Sequence, residues 1–65
     1  MKARDLVKLL EENGWRLIRI SGSHHHFARE GERSLITVPI HSRGRDLPPG
    51  LLHSILKAAR LKEPQ

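Results

Sequence analysis

The chain has 65 residues, 12 Lys and Arg against 7 Asp and Glu, a formal net charge of +5, and no cysteine. Its length implies one small domain over 1–65 with a thin core, since a chain of this size buries only about 60% of the surface it exposes when unfolded. The missing cysteines exclude disulfides, thiolate nucleophiles and zinc–thiolate sites. The positive bias suits phosphate backbones or an acidic protein partner.

No apolar run approaches the roughly 18 residues that span a bilayer, and the N-terminal "MKARDLVKLLEENG" is too charged for a signal peptide. The expectation is a soluble protein of the cytoplasm with no membrane contact. Trp15 and Phe27 are its only aromatic residues, too few for a platform on which successive bases stack. A nucleic acid would therefore be met through its backbone.

In chain order, a helix is predicted over 3–12. Ala3, Leu6, Val7 and Leu10 form one apolar stripe, Lys8, Glu11 and Glu12 take the wet side, and Asn13-Gly14 is a stop signal. Lys2, Arg4 and Lys8 read as a solvated face. Trp15 reads as core at the corner into the first strand, "WRLIRIS", over 15–21. Ser21-Gly22-Ser23 is a bend. A second strand follows over 24–29, then the polar connection Glu30-Gly31-Glu32-Arg33, and a third strand over 34–38 closed by Pro39. Short links between the three imply an antiparallel meander.

"HSRGRDLPPG", residues 41–50, is a basic loop. Pro48-Pro49 prepares a second helix over 49–60, with the stripe Leu52, Ile55, Leu56 and Ala59, and the tail 61–65 is expected to fray. The fold class is α+β, in the order α-β-β-β-α: a three-stranded antiparallel sheet with both helices on one face and the other face open.

That open face gives "SGSHHHF", residues 21–27, its interest. The run is internal and continues a strand pattern, unlike a purification tag. As a metal site, His24 and His26 would share one strand face, with His41 or His53 as a third ligand. No acidic residue flanks the run to orient it, and no paired HxxxH spacing is present. As ordinary strand residues, all three would be half-buried or wet, the preferred reading for His25 and an even one for His26.

As a catalytic group, His24 is the best placed. It follows Gly22-Ser23, a bend where backbone N–H groups can face a phosphate. Imidazoles as a class titrate near neutrality, so one can take the 2′-hydroxyl proton of RNA or protonate a leaving 5′-oxygen. Arg19, Arg43 and Arg45 are candidates to hold the phosphate. Such chemistry needs neither cofactor nor metal.

Read together, "LLEENGW", "GSHHHF", "ITVPIH" and "DLPPGLLHSILKAA" resemble, in order and spacing, the HicA family of bacterial and archaeal toxins over about residues 5–60. The resemblance implies a fold similar to a double-stranded-RNA-binding domain. It also implies an mRNA-cleaving endoribonuclease toxin, acting on single-stranded message and neutralised by a HicB-like antitoxin. The family's catalytic histidine maps onto His24, with Gly22 and Ser23 as its motif partners. Phe27 falls at an aromatic position read as packing, and His41 at the Val-Pro-x-His position. His25 and His26 occupy variable positions, so His26 and His41 remain accessory candidates. Two further readings stand beside this one: a non-catalytic RNA-binding module, and an interaction subunit whose basic face holds an acidic partner.

Overall fold

A computed structural model describes residues 1–62. The order is α1 (Ala3–Glu12), β1 (Arg16–Ser21), β2 (His24–Ala28), β3 (Ile36–Pro39) and α2 (Pro49–Ala58). The strands form one antiparallel sheet in the order β1-β2-β3. This is the expected α+β arrangement. No helix among the described residues is long and apolar enough to cross a membrane.

Helix α1 starts without a side-chain cap at Lys2. Its first N–H groups, orphans in any helix, donate instead to the 41–50 loop: Ala3 to the Arg45 carbonyl at 3.0 Å and Arg4 to the Arg43 carbonyl at 3.1 Å. The basic loop is thus the cap of the first helix. At the other end Trp15 N–H donates to Leu10 and Gly14 N–H to Glu11, the paired bonds of a Schellman stop. Gly14 takes φ +87°, which only glycine adopts without strain.

Leu6 and Leu10 of α1 and Ile55 and Leu56 of α2 meet Phe27, Ile36 and Val38 of the sheet in one core, sealed by Trp15 and Leu47. Phe27 pairs with Ile36 and His25 with Val38, so these four share the helix-side face. Trp15 is 1% exposed, and its indole N–H is buried without an acceptor among the described residues. Arg29 lies over its ring, 4.7 Å from the centroid.

Several boundaries differ from expectation. β1 begins at Arg16 because Trp15 is committed to the core. β2 ends at Ala28, since Arg29 leaves the ladder to stack on Trp15 and accepts at its carbonyl from Glu32 N–H at 3.0 Å. β3 was expected over 34–38 but runs from Ile36 to Pro39: pairing stops at Phe27↔Ile36, and Ser34 and Leu35 are exposed beyond it. Pro39 belongs to the strand, tolerated because β3 is an edge.

Helix α2 stops at Ala58 rather than 60. Arg60 takes φ +60°, and Leu61 N–H reaches back to the Leu56 carbonyl at 2.9 Å, a Schellman closure built without glycine. Leu61 then packs on the core instead of fraying. The rest of the expected tail, 63–65, lies outside the described residues.

β1 is the other edge, and every one of its residues is exposed. The helices do not reach over it, so Leu17, Ile18 and Ile20 remain 43%, 54% and 55% accessible. The ladder slips between Leu17 and Arg19, leaving Ile18 as a bulge.

Candidate functional site

The hairpin from β1 to β2 closes on two residues, Gly22 and Ser23, between the paired Ser21 and His24. Gly22 has φ +60° while Ser23 stays at negative φ. Positive φ at the first central position alone is the mark of a type II′ turn, whose twist suits a two-residue hairpin. The turn fixes the register: Ser21↔His24, Ile20↔His25, Arg19↔His26. The Ser23 carbonyl accepts from Ile40 N–H at 2.7 Å, which ties the turn to the end of β3.

This register separates the three histidines. His25 points to the helix side with Val38, is half-buried, and its Nδ1 donates to the Ser23 carbonyl at 3.2 Å. It is a packing residue that supports the turn. His26 lies on the open face between Arg19 and Thr37, half-buried, with its Nδ1 3.0 Å from Thr37 Oγ1. His24 lies on the same open face between Ser21 and Pro39. It is exposed, and no group among the described residues hydrogen-bonds or ion-pairs with its imidazole.

Of the candidate phosphate ligands, Arg19 is brought to this face as the strand partner of His26, two pairs from Ser21↔His24. Arg43 and Arg45 sit in the capping loop, held there by their carbonyls. No hydrogen bond or ion pair among the described residues joins any of the three to His24. His41 is exposed at the start of the loop, two residues beyond Pro39. His53 is on α2, which packs against the opposite face of the sheet, so it does not join the open-face histidines. Among the described residues no three His, Cys, Asp or Glu side chains converge as metal ligands would.

Thr37 and Pro39 were missed as site residues. Both follow from the two-residue turn, which sets the β1–β2 register, together with the tie from Ile40 to Ser23, which sets that of β3. Only the first of these is written in local sequence.

A family model described as HicA toxin of bacterial toxin-antitoxin matches residues 3–61, nearly the whole chain. The chain belongs to the HicA toxin family. No curated protein matches it. HicA membership makes the chain a toxin-family component of a toxin–antitoxin system, with an antitoxin as its counterpart. In this HicA chain the Gly-Ser-His sequence forms the hairpin turn and the first residue of β2, at one end of the open face.

Proposed function

We propose that the chain is a metal-independent endoribonuclease that cleaves single-stranded message, with His24 as general acid/base. The observation that carries the reading is the free imidazole of His24, exposed at the hairpin end of an open face that also bears Arg19. An imidazole without an internal partner keeps both nitrogens available to substrate. In the reaction the ribose 2′-oxygen attacks the adjacent phosphorus as its proton passes to a base. The P–O5′ bond breaks, and the leaving 5′-oxygen takes a proton. The products are a 2′,3′-cyclic phosphate and a 5′-hydroxyl end. His24 serves one of these transfers. His26, two residues along the same face and held by Thr37, and His41, in the adjoining loop, are the accessory candidates for the other.

Arg19, Arg43 and Arg45 are cast as phosphate-binding groups that offset the charge gathering on the phosphorane oxygens. Gly22 and Ser23 set the position of His24. A HicB-like antitoxin would silence the enzyme by covering this face.

The test is cleavage of single-stranded RNA by the purified chain in EDTA. His24→Ala should lower the rate roughly 10²- to 10⁴-fold, the usual share of general acid–base catalysis, with its circular dichroism spectrum unchanged because the residue is exposed and outside the core. Undiminished cleavage by His24→Ala would remove His24 from the mechanism, and loss of wild-type activity to the chelator would replace it with metal chemistry. Salt-dependent binding without products would leave an RNA-binding module.

A further inference from the structure

A cavity of about 340 Å³ opens at the same end of the sheet as His24. Its lining includes Pro39, the strand partner of His24, and His41 two residues on. Leu47 and Leu51 give it an apolar portion, and Arg45 and Asp46 a charged one. Its volume falls at the small end of the range for ligand sites, roughly 300–1,000 Å³, room for one flat heterocycle rather than a dinucleotide. The walls are fixed by backbone: Leu47 N–H donates to the Met1 carbonyl and Ala3 N–H to the Arg45 carbonyl, both at 3.0 Å.

Asp46 is the informative residue. It is the cavity's one acidic lining residue, exposed, in a loop otherwise basic. Its main chain bridges to Lys2, and Arg45 precedes it, yet no cationic side chain among the described residues forms an ion pair with it. A carboxylate beside a phosphate path is a cost unless the ligand offers it donors. Single-stranded RNA does so through unpaired base edges. Guanine alone among the common bases presents two adjacent donors, N1–H and the N2 amino group, that match the two oxygens of one carboxylate.

We propose that this cavity is a base-recognition subsite for the nucleotide flanking the scissile phosphate, and that Asp46 selects guanine there. The proposal builds on the ribonuclease reading above. The apolar wall at Leu47 and Leu51 receives the face of the base, Asp46 accepts from its Watson–Crick edge, and Arg45 at the rim meets the adjoining phosphate.

Two experiments test it. In the first, the wild-type chain digests a random-sequence RNA pool and the cut ends are sequenced. Guanine should be enriched at one fixed position beside the cut by roughly tenfold or more, the discrimination a good two-point base contact gives. Asp46→Asn should erase that enrichment, and so should Leu51→Trp, which fills the cavity. An unchanged profile in both variants, with cutting intact, overturns the subsite and leaves the ribonuclease reading standing.

In the second, GMP, AMP and CMP are titrated separately into His24→Ala protein and followed by NMR. GMP should shift the Leu47 and Leu51 methyl resonances at lower concentration than the other two, and Asp46→Asn should remove the difference. If wild type cuts no RNA, the ribonuclease reading fails and this titration alone decides the base site. Equal response to all three nucleotides, or none, overturns it.

Discussion

Arg29 is the side chain whose removal should cost the fold most for its exposure. Its Nη1 donates to the Asn13 carbonyl at 3.2 Å. Its Nη2 donates to Glu32 Oε1 at 3.2 Å and to the Ala59 carbonyl at 3.5 Å. Its guanidinium stacks on Trp15 at 4.7 Å. Asn13 and Ala59 are the C-terminal caps of α1 and α2, so one cation sits at the negative end of both helices, where a positive charge is favoured.

The magnitude follows from these contacts. A hydrogen bond to a charged group contributes about 1.5–3 kcal/mol when well formed. Here the bonds are long and the side chain is 25% exposed, so the two carbonyl bonds together are taken at about 1.5–2 kcal/mol. The stack adds about 0.5–1 kcal/mol, and the partly exposed Glu32 pair contributes little. Arg29→Ala should therefore destabilise by about 2–3 kcal/mol. At about 0.05–0.15 kcal/mol per residue, a chain of 65 residues has about 3–10 kcal/mol in all. The loss should lower Tm by roughly 10–20 °C.

Urea unfolding followed by far-ultraviolet circular dichroism is the assay, since Trp15 fluorescence would respond to the missing stack itself. Arg29→Lys should recover part of the loss, as an ammonium can sit over the ring but cannot reach both carbonyls in one plane. An unfolding free energy for Arg29→Ala within about 0.5 kcal/mol of wild type, the range of a neutral surface change, would refute the reasoning.

Gly22→Ala meets no atom within 4 Å of the added Cβ but keeps φ +60°, so its cost is backbone strain alone, about 1–2 kcal/mol. Urea unfolding should show that loss, and RNA cleavage should fall further than stability does because His24 is aimed by this turn. Replacing Arg43 and Arg45 together by alanine leaves the carbonyls that cap α1 in place. RNA binding measured against salt should then lose about 0.7 of logarithmic slope for each phosphate contact removed.

The helix over 3–12 was legible because an apolar stripe and the Asn-Gly stop agree, and the structure ends α1 at Glu12. The start of β2 at His24 was legible from Gly-Ser. The end of α2 was not, because Arg60 occupies a left-handed position that sequence rules reserve for glycine or asparagine. The start of β3 was misplaced because Ser34 and Leu35 have strand-like composition, while the ladder ends where Arg29 turns away to Trp15. Alternation alone put His24 and His26 on one face. What it lacked was which face the helices cover, decided by Phe27 and Val38 entering the core. The capping role of the basic loop was invisible for a simpler reason: its bonds are made by carbonyls, which every residue has.

The uncovered β1 strand has a consequence for the protein as a material. Its outer backbone edge and its exposed Leu17, Ile18 and Ile20 form a template on which a second chain could add, and so could a third. The bulge at Ile18 and the arginines at 16 and 19 oppose such addition, as an irregular edge and a repeated positive charge do. The arginines' share of that protection is electrostatic, and it weakens as salt shortens the screening length below about 8 Å. Salt would thus act on this edge as it acts on any surface charge: the more it screens the arginines, the less they oppose the pairing that the exposed backbone invites.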